Sequence, residues 1–318
     1  MKSRQYILPL IILVCVILAF SYERNKLKAI RSEIAQLPLQ FETALLQQND
    51  QIQSVLGRLR QDFVDDLKVV LATRDRQWML PSEPQLSRAH RVAHAGGAYN
   101  GLTYTNSLEA LEANKNDFQF FEIDLALTSD EEVVCSHDWD HYPKQIFGVE
   151  LNATPSLAEF TKLVADNSKF TNCTLDTLVD WLNQNPGATI ITDSKERNLE
   201  VLAHIATRYP ALISRFIPQI YNMREYQPTL ELGYSSVILT IYKWSAPEVE
   251  IVERVRGKKL FAVTVPFFRA PYIGKRLKEA GHRVYAHTIN TAETLSMMRW
   301  FGVDEIYTDH LHGDGNVN

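Results

Sequence analysis

The stretch FFEIDLALTSDEEVVCSHD, residues 120–138, decides how this chain folds. Phe120 to Leu127 is an apolar, β-prone run broken by Glu122 and Asp124. A buried strand carries a carboxylate only where a cation or dense hydrogen bonding compensates it. A second β-prone run, VVCSHD at 133–138, follows after only a few residues. A parallel crossover needs about a dozen residues or more, so this run reads as the return arm of a hairpin turning near Ser129 and Asp130. Antiparallel pairing about that turn sets Glu122 opposite His137 and Asp124 opposite Cys135. The strand period of two then puts all four side chains on one face.

Short apolar runs of the same kind recur on both sides of this hairpin, with amphipathic stretches between them. They are RVAHAG (91–96), FFEIDLAL itself, ATIITD (188–193), FIPQIY (216–221), SVILTIY (236–242), LFAVTV (260–265), RVYAHTI (283–289) and EIYTD (305–309). Such runs alternating with helical patterns imply a parallel sheet buried on both faces. Eight of them, in a body close to the roughly 250 residues typical of one such domain, predict an α/β chain folded as a (β/α)8 TIM barrel. A doubly wound open sheet is the alternative, but no glycine-rich dinucleotide fingerprint accompanies the runs.

Barrels build their sites at the C-terminal ends of their strands. Asp193 and Lys195 lie two apart at the end of the third run and therefore on one side. Glu122, Asp124 and Asp193 make an all-oxygen donor set suited to a hard divalent cation, Ca²⁺ or Mg²⁺, rather than zinc. A salt bridge to Lys or Arg at the barrel mouth is the simpler reading of the same carboxylates. His94 closes the first run, just before Gly96 and Gly97, where absent side chains let a ligand or another backbone approach. His137 closes the hairpin arm. Two imidazoles flanking a cation suit acid–base cleavage of a phosphodiester, one taking the nucleophile's proton and the other protonating the leaving alkoxide. Tyr242 and Trp244 close the fifth run as an aromatic platform for a glycerol or lipid-derived group, though rim packing explains them as well. Asp138 to His141 read as pocket lining or as an exposed polar loop. Residues 142–174, with periodicity only in SLAEFTKLV, read as an insertion over the mouth.

Taken in order, AHAGG (93–97), YTNSLEAL (104–111), the 120–138 hairpin, TLDTLVDWL (174–182), TDSK (192–195), IPQIY (217–221), VYAHTIN (284–290) and GVDEIYTD (302–309) resemble the motifs of the glycerophosphodiester phosphodiesterase family. That family belongs to the phosphatidylinositol phospholipase C-like phosphodiesterases. The resemblance covers 91–310. It implies His94 and His137 as the acid–base pair, Glu122, Asp124 and Asp193 as metal ligands, and Lys195 as a phosphate contact. It also implies a two-step course: the glycerol 2-hydroxyl attacks phosphorus, the head-group alcohol leaves, and water opens the cyclic phosphate to sn-glycerol 3-phosphate. Six positions depart from the family pattern. Ala95 stands where the family has a phosphate-binding arginine, and Thr105-Asn106-Ser107 stands for Glu-Asn-Thr. Asp193 replaces a glutamate, Glu131 the hairpin glycine, and His287 a tryptophan whose space it would fill. Loss of the arginine keeps open a phospholipase C-like enzyme that cleaves an intact lipid or stops at the cyclic phosphate. A catalytically silent barrel serving as a membrane-tethered binding protein is a further alternative.

The N-terminal part is of another kind. Tyr6 to Phe20 is almost wholly aliphatic, and with Ser21 and Tyr22 it just reaches the roughly 17 residues that span a bilayer core. Residues 1–22 are read as a retained single-pass anchor in preference to a cleaved signal. Residues 23–80 are rich in helix formers and carry a short heptad seam, Leu45, Ile52 and Leu59 with Leu56, Phe63 and Val70, spoiled by Asn49 and Asp66. This helical, coiled-coil stalk offers either homo-oligomerisation or packing back on the body. Pro81 and Pro84 mark the boundary before a barrel domain at 86–318. Arg24, Lys26, Lys28 and Arg31 outnumber Lys2 and Arg4, which by the positive-inside rule would place the body in the cytoplasm. The resemblance, through anchored and secreted relatives, implies an extracytoplasmic body instead. With 45% hydrophobic and 22% charged residues the chain is not disordered, and a formal charge of −5 argues against nucleic acid as a partner. Cys15, Cys135 and Cys173 have neither zinc spacing nor disulfide-scaffold density and read as small buried apolar residues.

Overall fold

In the computed structural model, residues 91–166 and 169–311 are described. The anchor, the stalk and the proline boundary fall in residues 1–90, outside the described residues. Among the described residues no helix is long and apolar enough to cross a membrane.

Among the described residues nine strands run β1 Val92–Ala93, β2 Phe120–Leu127, β3 Val133–Cys135, β4 Thr189–Asp193, β5 Phe216–Ile220, β6 Ile238–Thr240, β7 Ala262–Pro266, β8 Val284–His287 and β9 Glu305–Thr308. Between them lie α1 Leu108–Asn114, α2 Tyr142–Phe147, α3 Leu157–Asp166, α4 Leu175–Gln184, α5 Asn198–Arg208, α6 Tyr226–Glu231, α7 Glu248–Val255, α8 Ala270–Glu279 and α9 Ala292–Trp300. All strand pairings are parallel except that of β2 with β3. β1 pairs with both β2 and β9, Val92 lying opposite Phe120 on one side and Tyr307 on the other. That double pairing closes the sheet, so the eight expected runs form a barrel and the open-sheet alternative falls.

Alternation along the strands sorts the core. One inward residue from each barrel strand, Val92, Phe120, Ile191, Ile217, Ile238, Ala262, Tyr285 and Tyr307, forms an apolar plug. Outward residues such as Phe121, Ile123 and Ile190 on one half, or Val263, Val284 and Ile306 on the other, pack beneath the helices. Helix α4 illustrates how the covering elements form: Thr174 and Thr177 make a reciprocal capping box. Its buried Leu175, Leu178, Val179 and Leu182 then recur at helical spacing.

Gly96 and Gly97, at φ 87° and 88°, let this backbone lie close against α1, where a Cβ on Gly96 would meet Ala110 Cβ at 3.2 Å. A Cβ on Gly97 would meet Asn114 Nδ2 at 2.7 Å, so the backbone takes this left-handed path to lie under α1. Asn114 donates to the carbonyls of Gly96 and Ala98 and locks the contact.

The hairpin is present, but its register differs by one residue from the expected one. Leu125 faces Cys135 and Leu127 faces Val133, so Asp124 is not opposite Cys135. The loop Thr128–Glu132 is the reason. Thr128 N–H donates to the Glu132 carbonyl, its hydroxyl accepts from Glu132 N–H, and Glu131 occupies the left-handed region at φ 66°. The turn therefore centres on Asp130. His137 lies beyond the end of β3 and is carried by the following loop, not by strand pairing.

A second correction concerns the cysteines. Cys135 and Cys173 form a disulfide, with Cα atoms 5.0 Å apart, across 38 residues of chain. Both are buried, as expected, but as a covalent staple. It closes the insertion, whose helices α2 and α3 pack through Phe147 and Phe160 against each other and Trp139.

Candidate active site

Above the apolar plug the inward positions turn polar. The alternation that places Val92, Phe120, Ile191, Ile217, Tyr285 and Tyr307 inward continues to His94, Glu122 and Asp124, Asp193, Gln219, His287 and Asp309. Asp124 and Asp193 are register partners on neighbouring strands. Together with Glu122 they offer ligand atoms that all lie within 4.8 Å of one another.

Each carboxylate is held individually. Glu122 Oε2 accepts the N–H of Ala95 at 2.7 Å. Asp124 Oδ2 accepts from Asn106 Nδ2 at 3.0 Å, and the Asp124 N–H donates to Asn106 Oδ1 at 2.9 Å. Lys195 Nζ bonds Asp124 Oδ1 at 2.5 Å and stands 3.3 Å from Asp193 Oδ2. The lysine expected to meet phosphate thus lies against the carboxylates, and the barrel-mouth salt bridge and the acidic triad coexist. Burial and the charge of Asp124 push Glu122 up to about 8, and burial raises Asp193 as well. Burial also opposes the charge on Asp124, but Lys195 and His137 outweigh it and lower its pKa. Two buried carboxylates and one partly buried one thus share a single ammonium. Glu122 Oε1 and Asp193 Oδ1 are buried with no hydrogen-bond partner. Orphaned oxygens in an all-oxygen set fit a divalent cation.

The two histidines stand beside this centre with matching support. His94 Nδ1 is 2.8 Å from Asp309 Oδ1, and its Nε2 is 4.0 Å from Glu122 Oε2. His137 Nδ1 is 2.5 Å from Asp138 Oδ2. Asp138 Oδ1 in turn accepts backbone N–H groups from Asp140, His141 and Tyr142. Burial disfavours the charged form of His94, but the hydrogen bond to Asp309 and the nearby carboxylates prevail, raising its pKa to about 9. Tyr104 lies between the imidazoles, its ring centroid 5.0 Å from each. Burial and the surrounding carboxylates hold its phenol protonated. Tyr104 at φ 65° and Asn106 at 51° both occupy the left-handed region, a strain of about 1–3 kcal/mol each. Asn106's two bonds to Asp124 offset part of it.

The structure brings His94, His137, Glu122, Asp124, Asp193 and Lys195 together. Tyr242 adjoins them through its ring contacts with Tyr221 and His287. Trp244 stands apart, its indole N–H bonded to the Tyr221 carbonyl, in a groove beside the mouth. His287 fills space between Tyr242 and Tyr307, as expected of a tryptophan's substitute. Burial, His94 and Lys195 pull it down to about 4, so it is a neutral ring. Ala95 contributes an N–H in place of a cation. The insertion reaches the site through Tyr142, whose hydroxyl donates to the Thr105 carbonyl at 2.5 Å, and through Asn172, which bonds the Thr105 and Cys135 carbonyls. Asp309, Tyr104 and Asn106 were not among the expected functional side chains. Asp309 alone had a usable signal, because it ends a barrel strand as Asp193 does.

No family model matches the chain, and no curated protein matches it. Solved structures do match. A glycerophosphodiester phosphodiesterase from Thermotoga maritima aligns at 20% identity over 70% of this chain and 94% of its own, with a TM-score of 0.55. One from Parabacteroides distasonis aligns at 20% identity over 70% and 93%, with a TM-score of 0.54. An Oleispira antarctica phosphodiesterase, solved in complex with the product sn-glycerol-3-phosphate, aligns at 20% identity over 70% and 93%, with a TM-score of 0.56. In fold, this chain is a barrel of the kind found in solved glycerophosphodiester phosphodiesterases.

Proposed function

We propose that the protein is a phosphodiester hydrolase that converts glycerophosphodiesters to sn-glycerol 3-phosphate and an alcohol. The observation that carries this reading is the pair of histidines, each oriented by its own aspartate, beside a largely buried triad of carboxylates at the C-terminal mouth of the barrel. The product held by the Oleispira antarctica neighbour supports the choice of substrate.

With Nδ1 of each ring engaged by an aspartate, Nε2 is the nitrogen left to exchange a proton with substrate. His137 Nε2 takes the proton of the glycerol 2-hydroxyl as that oxygen bonds to phosphorus. His94, charged at neutral pH, gives the proton on Nε2 to the departing alkoxide as the phosphorus–oxygen bond breaks. In the second step water attacks the cyclic phosphate and the two rings exchange roles. A divalent cation held by Glu122, Asp124 and Asp193 would supply Lewis-acid neutralisation of charge on the phosphate oxygens. Lys195 adds a fixed positive charge at the same rim, and Tyr104 supplies a phenolic donor between the rings.

Placement outside the cytoplasm belongs to the same proposal. The disulfide supports an oxidising compartment. The apolar stretch at 6–22 would tether the barrel to the membrane.

The test is release of sn-glycerol 3-phosphate from a panel of glycerophosphodiesters by the full-length protein, with chelator and with Ca²⁺ or Mg²⁺ restored. Cation-dependent release, abolished in His137→Ala, is expected. A folded protein that binds the cation and releases nothing would overturn the reading in favour of a lipid substrate or a silent barrel.

A further inference from the structure

A groove of about 510 Å³ lies beside the mouth, lined among others by Asn222, Met223, Arg224, Lys243, Trp244 and Arg254. It lies within the size range of small-molecule sites. Its charge is opposite to that of the chain as a whole: three cationic side chains line it and no carboxylate does, in a protein of formal charge −5. The surrounding carboxylates each have partners. Glu225 feels the charge of Lys243 but is bonded to Asn198, Asn222 and the Tyr221 N–H. Glu248 pairs with Arg269. Glu250 pairs with Arg254, which leaves Arg224 and Lys243 to carry the excess positive charge.

The groove is joined to the reaction centre and its walls are fixed. Lys243 Nζ donates to the Lys195 carbonyl at 3.4 Å, while the Lys195 ammonium holds Asp124 and Asp193. The Lys243 ammonium also lies 4.8 Å over the Tyr221 ring, and Tyr221 accepts the Trp244 indole N–H at its carbonyl. Arg254 lies 5.6 Å over the Trp244 ring. A group leaving the acidic centre past Lys195 therefore meets an aromatic wall and two cations.

We propose that this groove receives the departing alcohol of the diester, and that Arg224 and Lys243 select alcohols bearing an anionic group, such as a second phosphate. The inference rests on the hydrolytic reading above. Its source is a soluble diester or a lipid head group with the same anionic chemistry.

The full-length protein tests it through the kcat/KM ratio between bis(glycerophospho)glycerol, whose leaving group is anionic, and glycerophosphocholine, whose leaving group is cationic. The ratio is expected to exceed ten and to fall at least tenfold in Lys243→Gln and in Arg224→Gln. Lys243→Arg should restore it, since charge and not shape is required. A ratio near one, or one unchanged in both glutamine variants, would overturn the proposal. Cleavage of dilysocardiolipin in phosphatidylcholine vesicles, whose outer glycerols keep a free 2-hydroxyl and whose departing alcohol carries the second phosphate, without cleavage of either soluble diester would assign the anionic group to a lipid. Calorimetric titration with inositol 1,4-bisphosphate needs no turnover and separates the two readings. Binding weakened tenfold in Lys243→Gln, with no hydrolysis of any diester, keeps the anion site and discards the hydrolase; binding unaffected by both glutamine variants discards the site.

Discussion

His94 and His137 each commit Nδ1 to an aspartate, so a single atom on each ring remains for proton transfer. For His94 the consequence can be measured. In the proposed role of acid His94 must carry its proton, so the alkaline limb of kcat should fall above about pH 9. Asp309→Asn removes the charge that opposes burial. It should move this alkaline limb to lower pH and reduce kcat by roughly 10–100-fold, which a pH–rate profile would check. The sign for stability is the same: the raised pKa contributes stability fully present below the unfolded value of 6.5 and lost as pH rises through about 9. Glu122 gives a second test. Raised to about 8, it is protonated at neutral pH until a cation displaces the proton. The affinity for Mg²⁺ or Ca²⁺ should therefore rise with pH, by up to about tenfold per unit below 8, and level off above it. Asp124→Asn should weaken the same binding, and calorimetry in buffers of different ionisation enthalpy would show both effects.

At the scale of elements, the β2–β3 hairpin and the disulfide decide where His137 stands. Glu122 and Asp124 were legible because a period of two puts residues two apart in an apolar strand on one face. The hairpin itself followed from the impossibility of so short a parallel crossover. Its register did not, because the position of the turn depends on how the Thr128 and Asp130 side chains fold the loop onto itself. The disulfide was not legible either. Cys135 and Cys173 are brought together only when the insertion returns to the strand edge, where Cys135 N–H donates to the Cys173 carbonyl. Reduction, or Cys173→Ser, should lower stability by about 3–4 kcal/mol, the value expected for a closed loop of this length. Thermal unfolding with and without reductant measures it. The same change should depress kcat through the loop that carries His137 and Asp138. Unchanged turnover in the folded, reduced protein would show that strand β3 alone positions that loop.

On the scale of the whole molecule, eight short strands close on themselves, and closure is what makes a site from residues far apart in sequence: His94 and Asp309 meet only because β1 pairs with β9. The placement of the barrel relative to the membrane is checked by a C-terminal fusion to alkaline phosphatase or to a fluorescent protein that matures only in the cytoplasm. Phosphatase activity is expected, and strong fluorescence would reject the extracytoplasmic placement. The sequence by itself determined the barrel class, the eight strands and the three carboxylates on one side, because strand periodicity and the cost of burying charge are local properties that a chain cannot hide. Tertiary structure alone decided the hairpin register, the loop that carries His137, the disulfide, the aspartate behind His94 and the basic groove at Lys243. Each of these depends on which residues a closed sheet and its loops bring within a few ångströms across the barrel mouth, and local pattern carries no such distance.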